Sequence, residues 1–205
     1  MALIHRATIR PTKAELLTDW VPTQSWGERE FELVGAYRFD DPAGAVGIET
    51  HILSTADGHL LQVPLTYRGA ALDGAERFLI CTMEHSVLGQ RWIYDATGDP
   101  VYAAVLASVL LAGVGQAEEL VEGADAPREP SMRVTGSSSR STAVPPVGEV
   151  SVSSDGSTTV LDLSGTLRIV LRRRLDQQAG PTDHDAALTG TWSGIESPVL
   201  LAYVD

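Results

Sequence analysis

Apolar and polar positions first resolve into a short helix flanked by strands. Leu3–Ile9 alternate as in a strand. Thr12 and Glu15 then stand at capping-box spacing, ahead of an apolar stripe of Leu16, Leu17 and Trp20. Val21-Pro22 closes that helix, because the proline ring disfavours helical geometry in the residue before it. A run of alternating segments follows. Phe31–Phe39 ends at an Asp40–Gly44 turn, and Val46, Ile48, Thr50 and Ile52 share one side of the next strand. Asp57-Gly58 predicts a hairpin, since glycine accepts the positive φ of such turns. Leu61, Val63, Leu65 and Tyr67 alternate with polar neighbours, and Pro64 predicts an edge or a bulge there, having no N–H for a ladder. Arg77–Met83 and Gln90–Tyr94 complete an antiparallel meander.

Asp99-Pro100 opens the second helix, with a capping carboxylate followed by the residue best suited to the first helical position. Val101–Ala112 is apolar nearly all round, which predicts burial on more than one side, and Gly113 or Gly115 ends it. Gly136–Gly148 is rich in Ser and Pro without periodicity and reads as a flexible connection or a long exposed loop. Strands return at Val150–Ser153, Thr158–Leu163, Thr166–Arg172 and Val199–Val204, with a turn at Asp155-Gly156. The expected organisation is an α+β module over residues 1–128, an antiparallel sheet with packed helices. A linker or loop over 129–148 and a mostly β segment over 149–205 follow.

Composition narrows the function classes. A formal net charge of −12 on 205 residues disfavours nucleic acid and anionic membranes as partners. Cys81 is the single cysteine, so a disulfide framework or CxxC metal site is not expected. The five histidines form no HxH or HxxxH pattern, and no metal or other cofactor is expected. The start lacks a secretory apolar stretch, and Val101–Ala112 is too short to span a bilayer, so the expected compartment is the cytoplasm.

Three segments in order resemble one family. Trp20-Val21-Pro22-Thr23-Gln24-Ser25-Trp26, Leu61–Arg68 and Tyr94-Asp95-Ala96-Thr97-Gly98-Asp99-Pro100 are similar to successive motifs of the N-terminal cap of actinobacterial maltokinases. Ser25 stands where that family has arginine. The resemblance implies an α+β cap built on an antiparallel sheet, and a setting in maltose, trehalose or α-glucan metabolism. Gly165–Leu175 further resembles a strand of the kinase nucleotide lobe, with Val170 at the lysine position when Arg173-Arg174-Leu175 is aligned. The family's lysine neutralises ATP phosphates, and Lys13 is the only lysine in this chain. Tyr203–Asp205 fall where such a lobe would meet its catalytic half. The expectation is a cap-like protein without kinase activity that contacts another protein of the pathway, or else a small α-glucan-binding protein.

Candidate ligand or partner residues follow from chemistry at strand ends and on aromatic rings. His85, Arg91 and Asp95 belong to the densest polar run, Glu84–Asp99, although Asp99 is explained by helix capping. Trp26 and Trp192 are the candidate stacking platforms for a pyranose ring, with Trp26 expected to be the more exposed. Arg172-Arg173-Arg174 reads as a solvated strand edge.

Overall fold

The computed structural model describes residues 2–137, 144, 146–175 and 184–205. Residues 138–143 and 145 of the Ser/Pro-rich stretch lie outside the described residues. In chain order the elements begin with β1 (Ala2–Ile4), β2 (Ile9–Arg10), α1 (Lys13–Trp20), β3 (Phe31–Phe39), β4 (Gly47–Thr55) and β5 (Leu60–Arg68). Then come β6 (Leu79–His85), β7 (Gly89–Asp95), α2 (Pro100–Ala112), β8 (Glu119–Val121) and β9 (Met132–Gly136). The remainder is β10 (Val150–Ser154), β11 (Thr158–Leu163), β12 (Leu167–Arg172), β13 (Arg174–Leu175), β14 (Ala187–Trp192) and β15 (Ile195–Val204). The architecture is therefore mostly β with few helices, so the α+β expectation holds for its antiparallel sheets more than for its helices.

Strand order explains the layers. A seven-stranded antiparallel sheet runs β2-β6-β7-β5-β4-β3, with β13 added beside β5. A six-stranded sheet runs β10-β11-β12-β15-β14-β9, and β1 pairs in parallel with β8. Alternate residues of the first sheet face opposite ways. Leu53, Leu61, Val63 and Leu65 meet Leu16, Leu17 and Val21 of the α1 region. Ile48, Ile52 and Leu60 face a larger core shared with α2 and with Leu161, Ile169, Leu188 and Leu201 of the second sheet. The expected α+β module and the β-rich segment thus share one core, and β9 lies in the predicted linker.

Local signals operate as the sequence predicts. Thr12 and Glu15 form a reciprocal capping box on α1. Asp99 Oδ1 accepts from the Val101 amide at 2.9 Å, and α2 ends at Gly113 with φ 69°. Pro64, however, lies in an interior strand. The Gln62 amide donates to the Arg173 carbonyl, and β7 pairs only from Leu65 onward. Pro64 points its donorless nitrogen to the same side as Gln62, at the gap between β13 and β7. The predicted strand Leu3–Ile9 divides into β1 and β2, because its two ends join different sheets. No helix among the described residues is long and apolar enough to cross a membrane.

Candidate functional site

A cleft of about 730 Å³ opens between the N-terminal strands, the β3–β4 turn and the ends of β5, β6 and β7. Beneath its lining residues Lys13, Arg38 and Tyr67 lies Glu49, which register places opposite Arg38 on β3 and which is almost fully buried in β4. Lys13 Nζ and Tyr67 Oη donate to Glu49 Oε2, the latter at 3.1 Å, and Arg38 Nη2 lies 2.8 Å from Oε1. Arg38 Nε also approaches Glu119 at 3.7 Å, and Glu119 is paired with Arg128 at 2.6 Å. Burial opposes the charge on Glu49, but His51, Lys13 and Arg38 beside it overcome burial and hold the carboxyl well below its ordinary range. A carboxylate held so low is a poor proton acceptor, so this cluster is suited to fixing charge in place rather than to acid–base turnover.

His51 lies one residue pair along the same face, with Nε2 3.5 Å from Glu49 Oε2. Burial pushes its imidazole down to about 4, with Lys13 and Arg38 adding to the effect against Glu49. It is therefore neutral near pH 7. Tyr67 is pushed the other way, because burial and the Glu49 charge both disfavour the phenolate. Apolar walls come from Ile9, Val46, Ile48 and Met83.

Two of the candidate residues, His85 and Arg91, line this cleft. His85 Nδ1 accepts from the amides of Val87 and Leu88 at 3.2 and 3.1 Å. Arg91 Nη2 donates to the Leu88 carbonyl at 2.8 Å. Asp95 is at the far end of β7, about 14 Å from Arg91 and about 20 Å from His85 by strand rise. The polar run read as one cluster is thus split between the two ends of a strand.

Asp95 instead anchors the junction of the two sheets. Its carboxylate caps the turn at Ala96–Gly98 and accepts from Arg173 Nη2 at 2.8 and 2.6 Å. Arg173 is only 1% exposed, which corrects the reading of the arginine run as a solvated edge. Thr159 Oγ1 accepts from its Nε at 2.9 Å, and its guanidinium sits 4.7 Å from the Trp26 ring centroid. A buried guanidinium needs such a set of partners. Trp26 is 2% exposed and meets Trp20 edge-on at 5.7 Å, so neither face is open to a sugar ring. That corrects its expected exposure. Trp192 is 7% exposed and packs in the shared core, presenting little more than an edge to a groove of about 500 Å³. The sequence missed Glu49, His51, Tyr67 and Arg173. Their one local signal is a polar residue set among apolar neighbours in strands that turn out to be covered on both faces.

The fold and cleft define a mostly β module of antiparallel sheets carrying a mixed polar and apolar cavity. Residues 20–99 match the family model of the maltokinase N-terminal cap domain. Among solved structures, a glucosamine kinase in complex with glucosamine, ADP and inorganic phosphate is similar at 18% identity with a TM-score of 0.44. That likeness covers 95% of this chain and 40% of the kinase chain, so this chain spans less than half of that protein's length. No curated protein matches.

Proposed function

We propose that this chain is a non-catalytic, maltokinase-cap-like module of the cytoplasm, acting through contact with an enzyme of maltose, trehalose or α-glucan metabolism. The match of residues 20–99 to the cap domain carries this reading. It takes the cap as an α+β unit, with α1 and α2 on opposite faces of the seven-stranded sheet. Val170 supports the non-catalytic half of the proposal. It pairs with Val160 and Tyr203 where the resemblance expects a lysine, and an aliphatic side chain cannot neutralise phosphate oxygens. Arg168, the cation that a shifted register would offer there, lies 3.3 Å from the Asp205 carboxylate.

Light scattering on size-separated mixtures of this protein with trehalose synthase from the same organism tests the contact. A peak with the summed mass supports the module reading. Separate elution from trehalose synthase, and from the other α-glucan enzymes of that organism, would count against it.

A further inference from the structure

We propose that the cleft between the N-terminal strands and the β3–β4 turn binds a small organic molecule bearing one acid group, a carboxylate or phosphate held by Arg91 and His85, with its body lying on the apolar wall. This goes beyond the cap-module reading and does not depend on it. Three cations line the cleft, and two are committed to acids. Lys13 is bonded to Glu49, and Arg38 is shared between Glu49 and Glu119. Arg91 has no carboxylate partner among the described residues. Its Nη2 reaches only the Leu88 carbonyl, and its Nε is enclosed without an acceptor. A guanidinium offers several donors in a fixed fork, and an acid group of a ligand satisfies them best.

His85 adds a directed donor. The Val87 and Leu88 amides occupy Nδ1 as an acceptor, so the neutral ring carries its proton on Nε2. Burial and the neighbouring His5 lower the pKa of that ring, and Arg91 and Lys13 add to the effect, so both cations act on the imidazole. His5 stands edge-on to His85 at 6.0 Å. The opposite side has the other sign. Asp40 and Asp41 follow β3, three strand spacings from β7, or about 14 Å. Asp41 is occupied by its own loop, accepting from the Ala43, Ala45 and Val46 amides. A second acid group at that end would meet like charge, which favours one acid on a neutral body. Ile9, Met83, Val46 and Ile48 give that body an apolar surface, and about 730 Å³ suits a small molecule.

Calorimetric titration of the full chain with benzoate, phenyl phosphate, inorganic phosphate and benzyl alcohol tests the site. Benzoate or phenyl phosphate is expected to bind at millimolar concentration or below, separating a carboxylate from a phosphate source. Benzyl alcohol should bind at least about tenfold more weakly, having no charge for Arg91. Inorganic phosphate should also be weaker, having no body for the wall. Arg91→Gln should lower affinity for the better anion about tenfold or more, and Arg91→Lys should restore part of it. Equal binding of the alcohol, no binding of either aromatic anion, or unchanged affinity in a folded Arg91→Gln protein would overturn the proposal. The wild-type selectivity decides the matter even if a variant fails to fold.

Discussion

Single side chains carry this structure in ways their neighbours in sequence do not announce. Arg173 is the clearest case, a buried cation between Asp95, Thr159 and the Trp26 ring. Removing one partner of a buried pair leaves the other charge uncompensated, so Arg173→Met should destabilise the protein by about 3–5 kcal/mol in urea titration. Adding Asp95→Asn should recover part of that loss while keeping the cap on the 96–98 turn. His51 gives a pH signature. Folding lowers its pKa from 6.5 to about 4, so the unfolded chain binds the extra proton in between. Stability is then complete above pH 6.5 and falls as pH drops toward 4. Urea midpoints across this window should decline in the wild type and decline less steeply in His51→Gln. Neither residue could be placed from sequence. Asp95 lies 78 positions from Arg173, and a histidine in an alternating strand looks outward until α1 covers that face.

Elements were more legible, because their signals are local. The Thr12–Glu15 box, the Asp99 cap, the Gly58 turn with φ 78° and the β3–β4–β5 and β6–β7 hairpins follow from residues a few positions apart, whereas β5 pairs with β7 rather than β6, which breaks the expected meander. The parallel pairing of β1 with β8 and the insertion of β13 beside β5 span more than a hundred residues and leave no periodic trace. One close approach fixes how α1 delivers Trp26 to the core. A Cβ on Gly27 would come 1.7 Å from the Val21 carbonyl oxygen, which belongs to the backbone and cannot rotate away. Gly27→Ala should therefore cost about 1–3 kcal/mol and red-shift tryptophan emission as Trp26 loses its packing. Unchanged stability and emission would show that the 21–27 turn adjusts freely.

At the scale of the whole molecule, the sequence reads as a cap-like module and a trailing β segment, and residues of both pack in one core. The seven-stranded sheet is covered by α1 on one face and by α2 with the second sheet on the other, and Arg173 locks the junction. This arrangement leaves the ligand-sized cleft described above, with Glu49 held as an ion and Arg91 without an acid partner among the described residues. We propose that such a molecule serves recognition. The central claim is that its chemistry ends there, and transfer of labelled phosphate from ATP and magnesium to maltose or glucosamine tests it most directly. The account predicts no labelled sugar above the protein-free control, whereas turnover that scales with protein concentration would contradict it.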